Sequence, residues 1–502
     1  MDDPGNQQAT IDFLSRPESH GFDGPVECVE THGAIVFLAG DRAFKLKRAV
    51  DLGYLDFSTP EKRHAACEAE LALNRRTAPD LYLAVRSIGR GADGSLGFDA
   101  GDPVDWVVEM QRFPGDALLS EVAARGELTP ALVRELADAI AAFHEIAKPV
   151  RRDGAARMAR VIDTNRAAMA AAEMDAAACD EWERKARAAL RTVADLLDAR
   201  AAQGHVRHCH GDLHLRNICL WNGHPTLFDC LEFNADLATT DVLYDVAFLV
   251  MDLLHRGFRD EASLLLNRYL DMRAEGGGMA ALPLFLSVRS AVRAHVTAQA
   301  ALQHGEDNED ARAYLRQAID WLSPQPPLLV AVGGLSGTGK STLAGALAPD
   351  LGAAPGARWL RSDELRKRRA GVKPEQALPA SAYTPEENAA VYAALIDEAA
   401  AMLAAGRAVI VDGVFAREDE RTRIERVAGD AGVPFIGLWL EAPREALLAR
   451  VGDRRGDASD AGPAVVERQL GYALGDLSGW HRVDASGAPG DTLAAARAVI
   501  TR

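Results

Sequence analysis

The sequence predicts a multidomain protein in which an N-terminal α+β region with two lobes precedes a C-terminal α/β region built on a parallel sheet. Three observations predict this. The chain has 502 residues, more than one hydrophobic core usually supports. A proline-rich connector occupies residues 323–327, and the order of strand-like and helical segments differs on its two sides.

The region before the connector begins with strands and continues with helices. Residues 26–48 alternate like antiparallel strands around a His32-Gly33 turn. Residues 59–76 have the pattern of a helix opened by Ser58, Thr59 and Pro60. We therefore expect a small lobe over residues 1–110 and a larger helical lobe over residues 111–322. The helical segments of the larger lobe are predicted at 131–147, 167–202, 240–273 and 281–303.

Residues 328–502 have a different pattern. The strand-like runs LLVAVGG, AVIVDG and PFIGLWLE alternate there with amphipathic helices. This alternation is typical of a parallel sheet flanked by helices.

The composition limits the compartment and the partners. The chain is 48% hydrophobic and 26% charged, and its six cysteines form no CxxC pair, which favours a reducing compartment and no structural zinc. No apolar run approaches the roughly 18 residues of a membrane span, so we expect a cytoplasmic protein. The net charge of −17 lies mostly before residue 328 and argues against nucleic acid as a partner there. The oligomeric state stays open.

The strongest motif is a glycine-rich loop between a strand and a helix. It matches GxxxxGK[ST] and predicts a phosphate cradle, in which Lys340 reaches the β- and γ-phosphates and the Ser341 hydroxyl ligates Mg²⁺. The predicted nucleotide-binding residues of this loop are Gly334, Ser336, Gly337, Thr338, Gly339, Lys340, Ser341 and Thr342.

Further charged residues follow the other strands. Asp412 ends an apolar strand, where a second Mg²⁺-coordinating acid would sit, although a simple cap at a strand end has the same pattern. Asp363 follows a short strand and is expected at the carboxyl edge of the sheet, where it can accept a proton from a substrate hydroxyl. Arg450 and Arg454 share a predicted helical face from which they can close over the triphosphate, unless they are ordinary exposed arginines.

Together these motifs make residues 328–502 resemble small P-loop kinases of the polynucleotide kinase, zeta toxin and chloramphenicol phosphotransferase type. The resemblance rests on the glycine loop, the DxxR sequence starting at Asp363, the strand end at Asp412 and the RxxxR sequence starting at Arg450. It implies a P-loop NTPase fold, a role as base for Asp363 and a transition-state clamp formed by the arginines. The resemblance indicates phosphoryl transfer as the reaction, but it indicates the acceptor of the phosphoryl group much less specifically.

A second motif, HGDxHxxN, runs from His210 to Asn217 and is followed by a short hairpin that ends at Asp229. Phosphoryl transfer needs a carboxylate near the acceptor hydroxyl, for which Asp212 is the candidate. It also needs oxygen ligands for Mg²⁺, here Asn217 and Asp229. His210 and His214 are more consistent with structural roles than with metal binding, because no further His or Cys stands at zinc spacing.

This loop resembles the aminoglycoside phosphotransferase and choline kinase branch of the protein-kinase-like fold. The resemblance extends upstream to a strand with Lys45 as the phosphate-pairing lysine and Lys47 as its rival. The ion-pair partner on the following helix is Glu70 or Glu68.

In the same resemblance, residues 106–111 are the strand and hinge, and the backbone of Glu109 and Met110 is expected to bind adenine. Two features depart from the family. No GxGxxG covers residues 26–40, and Leu215-Arg216 replaces the common Pro-Gly.

The fused order resembles bacterial two-domain proteins described as phosphotransferase plus ATPase. It implies ATP and Mg²⁺ as cofactors and two nucleotide sites. The N-terminal site would phosphorylate a hydroxyl of a small polar metabolite or aminoglycoside-like compound, and the C-terminal site would be a second small-molecule kinase or ATPase. Two alternatives stay open: one domain senses nucleotide and regulates the other, or the C-terminal domain is a polynucleotide 5′-kinase. GTP in place of ATP also stays open.

Overall fold

A computed structural model describes residues 7–31, 33–51, 55–453 and 458–501. The chain divides into two compact units, one formed by Met1–Arg152 with Arg200–Leu249 and the other by Asp153–Ala199 with Val250–Arg502. These units differ from the limits expected from the sequence, so the domain boundaries remain a prediction. His32 of the expected turn lies outside the described residues.

The strands and helices alternate irregularly in the first half of the chain and regularly in the second. The elements up to residue 255 are α1 (Gln8–Leu14), β1 (Glu27–Glu30), β2 (Ala34–Ala39), β3 (Arg42–Lys47), α2 (Pro60–Asn74), β4 (Tyr82–Arg90), β5 (Leu96–Phe98), β6 (Asp102–Gln111), α3 (Leu119–Ala124), α4 (Pro130–Ile146), α5 (Ala155–Ala171), α6 (Ala176–Ala202), β7 (Val206–His208), β8 (Ile218–Trp221), β9 (His224–Leu227), α7 (Ala235–Ala238), β10 (Thr239–Asp241) and α8 (Val242–His255). The later elements are α9 (Arg259–Met272), α10 (Leu282–His304), α11 (Glu309–Asp320), β11 (Leu329–Gly334), α12 (Lys340–Leu347), β12 (Arg358–Arg361), α13 (Ser362–Arg369), α14 (Pro385–Ala404), β13 (Val409–Asp412), α15 (Glu418–Ala431), β14 (Phe435–Glu441), α16 (Arg444–Asp453), α17 (Pro463–Leu470), β15 (Trp480–Asp484) and α18 (Pro489–Ile500).

The first unit contains a six-stranded antiparallel sheet in the order β1-β2-β3-β6-β4-β5. Helix α2 begins where the sequence predicts, because the Thr59 side chain accepts a hydrogen bond from the Lys62 amide and Pro60 fits the first turn. The helix packs on the sheet through Cys67 and Leu71. The helix lies against β6 and β4, and Glu70 on its buried face reaches Lys45 of β3.

The second unit contains a five-stranded parallel sheet in the order β12-β13-β11-β14-β15. Every residue of β11 and β13 is buried, as expected for central strands covered on both faces. The three strands predicted from the sequence are therefore β11, β13 and β14, and the parallel sheet of a P-loop NTPase fold is confirmed. Parallel strands bring their carboxyl ends to one edge, which gathers Gly334, Arg361 and Asp412.

Two of the long predicted helices are interrupted. The segment 167–202 is divided between α5 and α6, and Glu173 adopts a left-handed conformation with φ of 53° at the break. The segment 240–273 is divided between α8 and α9, with Gly257 at φ of 87°. Both residues leave the right-handed helical region, so the ladder of hydrogen bonds ends there. Among the described residues, none of the helices combines the length and apolar character needed to cross a membrane.

Two candidate phosphotransfer sites

The first site centres on Lys45 of β3. Its Nζ lies 2.9 Å from Oε1 of Glu70 on α2 and 2.5 Å from Oδ1 of Asp229. Glu70 is completely buried, whereas the Asp229 side chain is 36% exposed. The lysine thus joins a fixed carboxylate to an accessible one, which is the arrangement that holds a triphosphate and its metal in kinase-like proteins.

Lys47, the alternative to Lys45, forms ion pairs in the same buried cluster of charges, so both lysines have carboxylate partners. Its side chain is 2% exposed and pairs with Glu70 and with Glu232. Burial opposes ionisation of Glu70, but the ammonium groups of Lys45 and Lys47 lower its pKa to about 2. Glu68, the alternative partner, is 56% exposed and lies 3.6 Å from a histidine instead.

The HGDxHxxN loop brings its acid and its amide together. Asn217 donates from Nδ2 to Oδ2 of Asp212 at 2.8 Å and to the Asp212 carbonyl at 2.9 Å. His214 lies 3.3 Å from the same carboxylate oxygen. The Phe228 amide donates to the Asn217 carbonyl at 3.0 Å, which places Asp229 directly beyond the loop.

A buried carboxylate binds the backbone amides at the start of this loop. Asp245 of α8 accepts hydrogen bonds from the amides of His210 at 3.1 Å and Gly211 at 2.9 Å, and it lies 3.1 Å from Nε2 of His144. These contacts fix the backbone of the loop just before Asp212. Asp229 itself has φ of 59°, an uncommon conformation for a residue with a side chain and one that concentrates at functional sites.

The predicted hinge residues lie inside the sheet. Glu109 is opposite Phe44 and Ala84, and Met110 is in register with both neighbouring strands as well. Strand β6 ends at Gln111, whose amide donates to the Leu81 carbonyl at 2.8 Å. The adenine-binding role of Glu109 and Met110 therefore remains a prediction.

The second site is built on the glycine loop between β11 and α12. Gly334, Gly337 and Gly339 have φ of 143°, 88° and 90°, backbone conformations that residues with a side chain rarely adopt. A Cβ at Gly337 would lie 2.7 Å from the Leu447 carbonyl oxygen, so the loop tolerates no side chain there. Lys340 turns toward the loop and donates from Nζ to the Leu335 carbonyl at 3.0 Å. The loop has the curvature that a phosphate group requires.

The oxygen ligands predicted for the metal are adjacent. Ser341 Oγ donates to Oδ2 of Asp412 at 2.5 Å, and Arg361 Nε lies 3.6 Å from the same oxygen. Burial raises the pKa of Asp412, and Arg361, Lys340 and the Ser341 hydroxyl partly oppose this rise. A hydroxyl and a carboxylate at the end of β13 are the donor set that Mg²⁺ prefers, and the residues present fit that ion.

Arg450 donates to backbone carbonyls that directly follow β15. Its guanidinium donates to the carbonyls of Ala485 at 2.8 Å and Gly487 at 3.1 Å. The side chain also lines the cavity described below. Arg454 lies outside the described residues, and the clamp formed by the two arginines remains a prediction.

A cavity of about 1680 Å³ extends from the glycine loop across the carboxyl edge of the sheet. Asp363, Asp412 and Arg366 line it together with residues 336–342, from the glycine loop into the start of α12. The volume exceeds the roughly 300–1,000 Å³ typical of one small ligand. The cavity can therefore hold a nucleotide and an acceptor side by side.

Three residues of the two sites were not predicted from the sequence. Glu232 pairs with Lys47, and Arg361 stands beside Asp412. Gln469 accepts a hydrogen bond from the Ser336 amide in the glycine loop at 2.8 Å. Each comes close only through the tertiary fold. The position of Arg361 at the end of a short strand was the single hint available.

The fold and the two sites define the class of protein, which is an ATP-dependent kinase with two kinase-like domains. Residues 54–285 match the model described as the phosphotransferase enzyme family, and residues 329–473 match the model described as an AAA domain. These matches confirm the expected fusion of a phosphotransferase domain with a P-loop domain.

Among individual proteins, the chain is similar over nearly its whole length to an uncharacterized protein of Mycobacterium tuberculosis (strain ATCC 25618 / H37Rv), with 29% identity over 483 residues, 92% of this chain and 93% of the relative. It is also similar to an adenylyl-sulfate kinase of Myxococcus xanthus, with 34% identity over 118 residues, 23% of this chain and 59% of that protein. A solved choline/ethanolamine kinase family protein from Mesorhizobium loti is 16% identical, covers 63% of this chain and 92% of its own, and has a TM-score of 0.39.

Proposed function

We propose that the chain catalyses two separate phosphoryl transfers from ATP with Mg²⁺. The N-terminal site phosphorylates a hydroxyl of a small polar metabolite or aminoglycoside-like compound, and the P-loop site phosphorylates a second small acceptor. The observation that carries this proposal is that each site contains a lysine, an acid suited to the metal and a second acid suited to the acceptor.

In the N-terminal site, Lys45 orients the phosphates and Asp229 and Asn217 hold the metal. Asp212 accepts the proton of the acceptor hydroxyl. Its side chain is 40% exposed, so an acceptor can reach it. When bound, the metal neutralises charge on the transferring phosphoryl group.

In the P-loop site, the loop amides and Lys340 hold the phosphates, and Ser341 and Asp412 hold the metal. Asp363 is the base for the acceptor hydroxyl. It lines the same cavity as Lys340, which supports the assignment.

Basic residues follow Asp363 at positions 366–369, and the contacts of the first two favour a small acceptor over a nucleic acid. Arg366 is buried and donates to the Ala382 carbonyl and to Asn388, while Lys367 is buried and bonds Asp460 at 2.9 Å. These cations serve internal contacts, so they offer little to a phosphate backbone. A labelled-oligonucleotide assay that shows transfer would favour the polynucleotide kinase instead.

The experiment measures ATP turnover in full-length Asp212→Ala, Lys340→Ala and doubly substituted proteins. We expect each single substitution to remove one activity and the double substitution to remove both. Asp236→Ala and Lys373→Ala are matched controls at exposed positions and retain both activities. Wild-type turnover in the double variant would contradict the proposal.

The same variants identify the acceptors and test a sensing role. A metabolite pool incubated with labelled ATP, followed by mass spectrometry, should give one phosphorylated product that depends on Asp212 and another that depends on Lys340. Tight nucleotide binding without turnover at one site would instead make that site a regulator of the other.

A further inference from the structure

Helix α9 contributes polar groups to the edge strand of the parallel sheet. Among the described strands, β12 lies at the edge of its sheet and pairs with β13 alone, so its other side needs partners for its backbone groups. The Asn267 side chain of α9 supplies them. Its Nδ2 donates to the Ala357 carbonyl at 3.2 Å, and its Oδ1 accepts from the Trp359 amide at 2.8 Å. One side-chain amide thus takes the place of a neighbouring strand.

An ion-pair network ties the same strand to the helix. Arg358 of β12 is 3% exposed and lies 2.5 Å from Asp271 of α9 and 2.9 Å from Glu398 of α14. A buried guanidinium without carboxylate partners is strongly unfavourable. The strand therefore has one favourable position relative to α9.

The position of β12 determines where the proposed base lies. The strand ends at Arg361, and α13 begins at the next residue, so Asp363 is placed only two residues beyond the strand. Glu364, the next residue, makes a hydrogen bond with Asp271. It also lies 2.7 Å from Arg361, which in turn lies 3.6 Å from Asp412.

We propose that Asn267 and Asp271 are positioning residues of the P-loop phosphotransfer site, which hold β12 and the start of α13 so that Asp363 faces the acceptor. This inference rests on the proposed function of that site. It makes the P-loop site dependent on a helix that precedes the connector, in the region whose sequence resembles the other kinase. The segment from 328 onward is then incomplete as a catalyst without α9.

The contact between Glu364 and Asp271 depends on pH. Burial, and then the charge of Asp271, raise the pKa of Glu364 to about 7, while Arg361 and Arg358 oppose the rise. Below that pH the Glu364 carboxyl keeps its proton and donates a hydrogen bond to the Asp271 carboxylate. Above it two like charges face each other across the contact between α9 and α13, and the contact weakens.

The test uses full-length protein with Asp212→Ala, so that ATP turnover reports the P-loop site alone. Asn267→Leu and Asp271→Asn remove the contacts, Asp271→Glu is the conservative variant, and Asp260→Asn is an exposed control on the same helix. We expect kcat to fall about tenfold or more in the first two proteins, because small displacements of a reacting group are costly. The KM for ATP should stay unchanged, since the glycine loop is untouched. Asp271→Glu should recover part of kcat.

The pH profile distinguishes positioning from simple stability. Asp271→Asn removes one cause of the raised Glu364 pKa, so the inflection of kcat near pH 7 should move to lower pH. Unchanged kcat in Asn267→Leu and Asp271→Asn would overturn the inference, and so would a joint loss of activity and of nucleotide binding. If the Asp212→Ala protein shows no turnover that Lys340→Ala abolishes, the proposed function itself fails and the inference fails with it.

Discussion

Replacing Glu70 by Gln tests the buried charge cluster of the N-terminal site. Glu70 is fully buried and serves two lysines at once, Lys45 at 2.9 Å and Lys47. Its pKa falls from 4.5 to about 2 in the folded protein. At about 1.4 kcal/mol for each pKa unit, the charged form gains about 3 kcal/mol on folding. The usual cost of breaking a buried ion pair, about 3–5 kcal/mol, agrees with this value.

Hydrogen exchange of backbone amides in β3 and α2 is the suitable assay, because it reports local stability in a chain of several units. A loss of about 3 kcal/mol corresponds to exchange about 100-fold faster at pH 7. Because the pKa of Glu70 is lowered on folding, its contribution is present above pH 4.5 and is lost as the pH falls toward 2. The difference between wild type and Glu70→Gln should therefore shrink in acid.

Glu68→Gln is the matched control, since it lies on the same helix with its side chain 56% exposed. It should change exchange very little. The reasoning would be refuted if the two variants exchanged alike at pH 7, or if the effect of Glu70→Gln persisted undiminished at low pH.

Three further predictions concern both sites. Gly337→Ala should abolish nucleotide binding at the P-loop site as measured by titration calorimetry, because its φ of 88° and the nearby Leu447 carbonyl leave no room for a methyl group; binding at wild-type affinity would contradict this. Glu364→Gln should have a higher melting temperature than the wild type, and the difference should grow as the pH rises from 4.5 through about 7, because the raised pKa of the native carboxyl costs the wild type stability over that window. A difference that stays constant across pH would count against this prediction. Lys47→Met should lower the melting temperature and Glu232→Gln should partly restore it, because the two buried side chains form an ion pair; strictly additive effects would show that they are not coupled.

Local sequence patterns predicted most of the framework. The parallel strands were visible as apolar runs, and the glycine loop was visible because phosphate binding needs small residues at fixed positions. The start of α2 was marked by Thr59 and Pro60, whose capping chemistry is local. The pairing of Lys45 with the helix following β3 was also predicted, although the sequence left Glu68 and Glu70 equivalent. Only the packed helix shows which of the two is buried.

The remaining features depend on contacts between residues far apart in the chain. Glu232 lies 185 residues from Lys47, and no spacing rule connects them. Asn267 is 92 residues from Trp359, and a mid-helix asparagine usually suggests nothing about an edge strand. The breaks in the two long helices were missed because alanine- and leucine-rich segments continue the helical pattern on both sides.

The central claim is that one chain holds two independent nucleotide sites. Isothermal titration of the full-length protein with a non-hydrolysable ATP analogue and Mg²⁺ tests it most directly. The account predicts two molecules bound per chain, one after either Lys45→Ala or Lys340→Ala, and none after both. A single molecule bound by the wild type, or a count that neither lysine changes, would contradict it.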